Sequence, residues 1–231
     1  MKKLFTVLPL VLATSAAMAY EQGKTYQFTI LHTNDTHGHF WPNAKGEYGF
    51  PAHKTIVNRV KAEVEQKGGS LVLLNAGDFN TGVPESDMQT AEPDIKAMNA
   101  MGYEATVLGN HEFDDGQASL AEKWSADPLL PRGWDITYVC SNVYDSNGHI
   151  PPYVKPFATT EIKLSPTKTL KAAFVGLLAS SAPEQIRANN VVGLHFSGNY
   201  THVLDSLAQT PGFKAVQEAD LRMLLVHIGT I

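Results

Sequence analysis

Short apolar runs alternate along the chain with longer segments in which apolar residues recur at helical spacing. The short runs are bounded by Gly, Asn, Asp and Pro, a pattern that predicts buried β-strands. The longer segments predict amphipathic helices. The predicted strands cover residues 26–31, 70–74, 104–108, 136–140, 161–164, 171–178 and 221–227, and the predicted helices cover residues 52–67, 94–101, 117–124 and 200–209.

The order of these elements indicates the fold class. Ile56, Val60 and Val64 recur at every fourth position and predict the buried stripe of the first helix, which Gly68 ends. Residues 171–178 are apolar enough to form a central strand, with 161–164 as an edge strand. Strands that alternate with helices predict an α/β domain built in layers.

The N-terminus has the pattern of an export signal. Lys2 and Lys3 precede an apolar run at residues 4–12, and residues 17–19 fit a small-x-small cleavage site. The run is too short for a membrane span. We therefore assign residues 1–19 to a cleavable signal peptide and expect a periplasmic protein. No Cys lies near the cleavage site, so we expect neither a lipid anchor nor stable membrane association.

Composition argues against nucleic-acid binding and excludes an intramolecular disulfide. The chain is 43% apolar and 18% charged, as in ordinary globular proteins, and its formal net charge is −5. Without a basic run outside the leader, nucleic-acid binding is disfavoured. Cys140 is the single cysteine, which excludes an intramolecular disulfide, and its apolar segment predicts an inert buried thiol.

Polar side chains with metal-ligand chemistry follow four of the predicted strands. Ligands collect at the carboxyl ends of strands in open α/β sheets, so these side chains are expected to meet. All are oxygen or nitrogen donors suited to divalent cations, and together they exceed the needs of one ion. They are Asp35 and His37 in the first loop, Asp78 in the second, Asn110 and His111 in the third, and His227 at the end of the last strand.

The spacing of these donors predicts a two-metal centre. In an extended segment Asp35 and His37 point to the same side and can bind one ion. Asp78 has two carboxylate oxygens and can bridge two cations. Asn110 offers a neutral oxygen to a second ion, and His227 offers a nitrogen. Each motif alone is weak evidence, because single loop histidines usually have structural roles. The ordered set of four favours a site.

His111 is predicted to have a separate role. Asp114 lies three residues further on and can accept an imidazole N–H, which favours the cationic form of the ring. A cationic histidine beside two metals can stabilise a phosphoryl oxygen or protonate a leaving group.

Three segments carry a family resemblance. LHTNDTHGHF at 31–40, NAGDFNTG at 75–82 and LGNHEFD at 108–114 are similar to those of the calcineurin-like metallophosphoesterases. GEYGF at 46–50 and the stretch at 81–114 look like the bacterial periplasmic 5′-nucleotidase/UDP-sugar hydrolase group.

This resemblance implies a four-layer α/β/β/α sandwich that holds two divalent ions. The ligand types suit Mn, Zn, Co or Mg and do not decide between these metals. It implies that Asp35 and His37 hold the first metal, that Asp78 bridges, and that Asn110 and His227 hold the second. His111, paired with Asp114, would act on the phosphate. The implied substrates are 5′-nucleotides and UDP-sugars, in a monomeric hydrolase of nucleotide catabolism.

The resemblance also predicts an incomplete domain. The family continues past the His227 strand to a Gly-His-x-His or Gly-His-x-Gln motif and a substrate-binding C-terminal domain. We expect residues 20–231 to form an N-terminal metallophosphoesterase domain that lacks its last strands, with impaired activity alone. The alternatives are a non-catalytic exported metal- or nucleotide-binding remnant, and a cyclic-nucleotide phosphodiesterase or thiosulfate-ester hydrolase. The 81–114 stretch argues against the phosphodiesterase and the thiosulfate-ester hydrolase.

Overall fold

The computed structural model describes residues 18–19, 21, 23–47, 49–124 and 136–229, with backbone alone at 18–19 and 123–124. Apart from that backbone, the predicted signal peptide lies outside the described residues. The strands are β1 (Met18–Ala19), β2 (Thr29–Thr33), β3 (Leu71–Asn75), β4 (Ala105–Val107), β5 (Thr137–Val139), β6 (Val143–Tyr144), β7 (Phe157–Ser165), β8 (Lys168–Leu178), β9 (His195–Phe196) and β10 (Leu221–His227). The helices are α1 (Phe50–Gln66), α2 (Pro84–Asp87), α3 (Glu92–Met101), α4 (Gly116–Trp124), α5 (Tyr200–Ala208) and α6 (Lys214–Gln217).

Two main sheets form the centre of the fold. The first has the order β2-β3-β4-β5, and all its strands are parallel. In the second, β8 pairs in parallel with β10 and antiparallel with β7. β8 is therefore the central strand that its apolar run predicts, and β7 is the predicted edge strand at greater length.

Three apolar layers hold the sheets and helices together. One packs α1, α3 and α4 against the first sheet and includes Phe50, Ile95 and Leu120. The second lies between the sheets, and the third packs α5 and α6 on the outer face of the second sheet. The order helix, sheet, sheet, helix confirms the predicted four-layer sandwich. Within the described ranges, no helix is long and apolar enough to cross a membrane.

The two sheets touch where β8 crosses β5. Gly176 sits at this crossing, and a β-carbon there would lie 2.3 Å from the carbonyl oxygen of Val139. The amide of Ser141 donates to the carbonyl of Gly176 at 2.8 Å. Only glycine leaves room for this bond, which fixes the second sheet beside the first.

The predicted buried stripe of α1 is partly wrong. Phe50 and Val57 are its buried residues, whereas Ile56 is 47% exposed and Val60 and Val64 are half-buried. The helix begins at Phe50, two residues before the predicted start, and Phe50 and Val57 are seven residues apart, or two turns. Ile56 is six residues after Phe50, about 240° around the helix, and so lies on a different side of α1.

Candidate metal centre

The loops after β2 and β3 run side by side beyond the ends of the strands. The amide of Asp35 donates to the carbonyl of Gly77 at 3.0 Å, and the amide of His37 donates to the carbonyl of Asp78 at 3.2 Å. Gly38 continues the pattern with a 3.0 Å bond to the carbonyl of Phe79. These bonds place the first two polar motifs next to each other, as parallel strand ends predict.

The local conformation of the first motif differs from the prediction. Asp35 and His37 are not extended: their φ angles are 51° and 44°, and that of Asp78 is 53°. Left-handed backbone is costly for residues other than glycine, by roughly 1–3 kcal/mol each. The tight turn still brings Nε2 of His37 within 3.8 Å of Oδ1 of Asp35. Strained backbone at a loop cluster of this kind is common at functional sites.

Asp78 lies at the centre of the cluster. Its Oδ1 accepts the amide N–H of His111 at 2.9 Å, and its Oδ2 lies 3.1 Å from Nε2 of His227. Two sets of possible ligand atoms lie within 4.8 Å of one another, namely His37, Asp78 and His111, and Asp35, Asp78 and His227. Asp78 is the member common to both sets, the geometry that a bridging carboxylate needs.

The grouping of the donors around Asp78 differs from the implied ligand sets. His37 lies with His111, with ring centroids 4.9 Å apart, and Asp35 lies with His227. Asn110 is 8% exposed and directly precedes the short helical turn at His111–Phe113. The assignment of each donor to one ion therefore stays a prediction.

Backbone carbonyls fix the orientation of two histidines. Nδ1 of His37 lies 2.9 Å from the carbonyl oxygen of Thr81, and Nδ1 of His227 lies 2.7 Å from that of Ala76. A carbonyl only accepts, so Nδ1 carries the hydrogen in each ring. Nε2 is therefore the ring nitrogen that faces the cluster and can bind a cation, the arrangement typical of metal-binding histidines.

His111 is held by a carboxylate instead. Its Nδ1 lies 2.7 Å from Oδ2 of Asp114, so the predicted contact is present. Burial lowers the pKa of His111, but the hydrogen bond to Asp114 and the charges of Asp78 and Asp114 raise it, and the net shift is upward. This environment favours an imidazolium.

His227 is paired with Asp78. Burial lowers the pKa of His227, but the hydrogen bond and charge of Asp78 raise it to about 9. Burial raises the pKa of Asp78, and its contacts with His227 and His111 lower it to below its ordinary value. A proton on His227 thus supplies positive charge at this position. The carboxylate oxygens and imidazole nitrogens grouped around Asp78 are donors that fit divalent cations.

Sequence reasoning missed Glu112. This carboxylate is 1% exposed and accepts backbone N–H bonds from the loops at residues 78–80 and from Gly109. Burial and the charge of Asp78 raise its pKa to about 7, and the N–H bonds oppose that shift. The available signal was a carboxylate directly before Phe113 in the third polar motif.

Two glycines allow the third loop to touch the second. A β-carbon on Gly109 would lie 2.1 Å from Oδ1 of Asp78, and one on Gly77 would lie 2.8 Å from the amide nitrogen of Gly109. The backbone of Gly109 therefore packs directly on the central carboxylate, and the site is compact because neither residue has a side chain.

Comparison with known proteins places this arrangement in a class. The calcineurin-like phosphoesterase family matches residues 28–216, and the chain belongs to that family. This confirms the resemblance carried by the three motif segments.

Among individual relatives, the chain is 49% identical to protein UshA of Escherichia coli strain K12 over 169 residues, which cover 72% of this chain and 28% of UshA. It is 37% identical to a 5′-nucleotidase of Vibrio cholerae over 224 residues, which cover 94% of this chain and 36% of the relative. The chain thus spans about a third of the length of these relatives. The solved sulfate thiohydrolase SoxB of Thermus thermophilus has the same fold, with a TM-score of 0.69, 17% identity and coverage of 91% of this chain and 45% of SoxB.

Proposed function

We propose that this domain binds two divalent cations and serves the hydrolysis of nucleotide phosphate esters and anhydrides. The observation that carries the proposal is the position of Asp78, which belongs to both donor clusters and contacts the loop of His111. Asp35, His37, Asn110 and His227 surround it as further ligands. Cations bound there would neutralise phosphoryl charge and lower the pKa of a bound water.

The protein groups have separate tasks in this proposal. His37 and His227 present Nε2 because carbonyl oxygens hold Nδ1. His111 donates a hydrogen bond from Nε2 to a phosphoryl oxygen or leaving group, since Asp114 keeps the ring oriented and favours its cationic form.

The substrate class is inferred from sequence similarity. The identity to a 5′-nucleotidase favours 5′-nucleotides as substrates. The resemblance of residues 81–114 to the bacterial periplasmic 5′-nucleotidase/UDP-sugar hydrolase group adds UDP-sugars and favours the periplasm as the location. The fold does not separate substrates, because SoxB shares it. A thiosulfate-ester or cyclic-nucleotide substrate and a non-catalytic binding role are therefore outcomes of the test.

The test measures metal content and phosphate release together. The metal-free 231-residue chain is titrated with Mn²⁺ or Co²⁺, and 5′-AMP, UDP-glucose, cyclic AMP and a thiosulfate ester are offered. The same assay is run on a hybrid in which the C-terminal part of E. coli UshA continues the chain. We expect two ions per chain and metal-dependent release from 5′-AMP and UDP-glucose, strongest in the hybrid.

Asp78→Asn is the matched variant in both proteins, because it keeps the shape of the side chain and removes its charge. We expect it to reduce metal content and activity together. Two bound ions with no hydrolysis by either protein would support the non-catalytic role. Unchanged activity after exhaustive metal removal would overturn the two-metal proposal.

A further inference from the structure

Glu112 joins two of the loops that carry the donor residues. Its Oε1 accepts the amides of Phe79 and Asn80 at 3.0 and 3.1 Å. Its Oε2 accepts the amides of Asp78 at 2.9 Å and Gly109 at 2.5 Å. One carboxylate therefore takes four backbone N–H groups, three from the loop after β3 and one from the loop after β4.

These bonds favour the ionised form of Glu112. Each of the four groups is a donor, and they occupy both oxygens, so a carboxylic acid hydrogen would face an N–H in either position. Four charge-assisted bonds offset much of the cost of burying a carboxylate. Its isolation from solvent makes the contact rigid, because no water competes for the donors.

The geometry points to Glu112 as a positioning residue for the metal centre. By holding the amide of Asp78 it maintains the left-handed backbone that directs this carboxylate between the two donor clusters. By holding Gly109 it sets the distance from Asp78 to Asn110 and His111. This inference rests on the proposed two-metal function and adds a residue that touches neither ion nor substrate.

Glu112→Gln tests this role because it keeps the shape of the side chain but replaces one oxygen with an NH₂ group. That group cannot accept a hydrogen bond, so the two backbone N–H groups that face it lose their partner. Asp94→Asn is the matched control: Asp94 is also a fully buried carboxylate, but it bonds to Ser86 at 2.7 Å and lies on α3. Co²⁺ is the probe, read by equilibrium binding and by visible absorption. We expect roughly 10–100-fold weaker Co²⁺ binding and an altered spectrum for Glu112→Gln, with wild-type behaviour for Asp94→Asn.

Thermal melting shows whether each variant is folded. Should Glu112→Gln not fold, Glu112→Asp keeps the charge but shortens the reach, and we expect it to fold and to bind Co²⁺ more weakly. Wild-type affinity and spectrum in a folded Glu112→Gln protein would overturn the inference. Failure of both variants to fold would also overturn it, since Glu112 would then serve stability alone. A wild-type chain that binds no Co²⁺ would instead refute the proposed function.

Discussion

His111 and Asp114 form a hydrogen bond of 2.7 Å between Nδ1 and Oδ2, within a single turn of the third loop. His37 and His227 have carbonyl oxygens in the equivalent position. A carboxylate at Nδ1 stabilises the charged ring, while a carbonyl at Nδ1 fixes the tautomer and leaves Nε2 as the nitrogen that can bind a cation once it has lost any proton. The partner at Nδ1 is therefore the difference on which the proposed roles rest, with His111 as proton donor and His37 and His227 as ligands, although the rings of His37 and His111 lie edge to face.

The first prediction concerns His111→Asn. We expect this variant to keep two metals per chain and to lose about 10²–10⁴-fold in kcat, the range for a positioned acid or electrostatic partner. Metal counting by plasma emission spectroscopy and steady-state kinetics check it in the UshA hybrid. Asp114→Asn is the companion variant: it removes the charge that raises the His111 pKa, so the fall of activity at high pH should move to lower pH. Loss of a metal from His111→Asn would make His111 a ligand, as its proximity to His37 and Asp78 permits.

The second prediction concerns Gly109→Ala. The new methyl group would lie 2.1 Å from Oδ1 of Asp78, so the loop must move away from the carboxylate. We expect a stability loss of about 1–3 kcal/mol and a clear fall in Mn²⁺ affinity. Gly212→Ala is the control, because its methyl group meets only the end of the Phe157 ring, at 3.3 Å. Equal Mn²⁺ affinity in the two variants would show that the close packing at Gly109 does not shape the site.

The third prediction links metal binding to proton release. Without metal, Asp78 raises the pKa of His227 to about 9, so His227 is protonated at pH 7. A nitrogen that binds a cation must lose its proton, so binding should release about one proton per chain at pH 7 and tighten as pH rises towards 9. Calorimetric titration with Mn²⁺ in buffers of different ionisation enthalpy measures this release. Buffer-independent heats would mean that His227 is not a ligand.

The fourth prediction concerns stability and pH. Burial raises the pKa of Asp94 from 3.8 to about 7, against the opposing hydrogen bond from Ser86. The folded protein then binds this proton more tightly than the unfolded chain, so stability declines as pH rises from 3.8 towards 7.

Asp94→Asn removes that decline. Relative to the variant, wild-type protein should lose about 2–3 kcal/mol between pH 5 and pH 8. Urea denaturation of both proteins at each pH measures the difference, with Ser86→Ala to separate the hydrogen bond from the charge. A constant difference between wild type and Asp94→Asn would show that Asp94 is ionised in the folded protein throughout.

Sequence patterns predicted the layers of the fold because apolar runs and strand-end loops are local features. β10 at Leu221–His227 has the predicted bounds, and β3 and β8 differ by a few residues at most. The meeting of Asp35 and Asp78 also followed, since β2 and β3 are parallel and end at one edge, whereas His227 joins them from the second sheet. Cys140 is buried as predicted, and burial raises its pKa to about 12.

The remaining features depend on contacts between distant segments. The left-handed turns at Asp35 and His37 are set by hydrogen bonds to the neighbouring loop, which no local pattern encodes. Glu112 has a role only because four amides from two loops surround it. Ile56 fitted a helical stripe, but the anchor at Phe50 decided which face of α1 was buried.

The carbonyl of Ala76 lies directly after β3, and the ring of His227 lies at the end of β10, 151 positions further along the chain. The two strands belong to different sheets. A cation held jointly by Asp78 and His227 would therefore act as a cross-link that closes most of the chain into one loop. Such a link stabilises the folded state by the difference between the free energies with which the ion binds the folded and the unfolded chain. Amide exchange in β10 and β3 should slow together when metal is added, although the two strands share no hydrogen bonds in a common sheet.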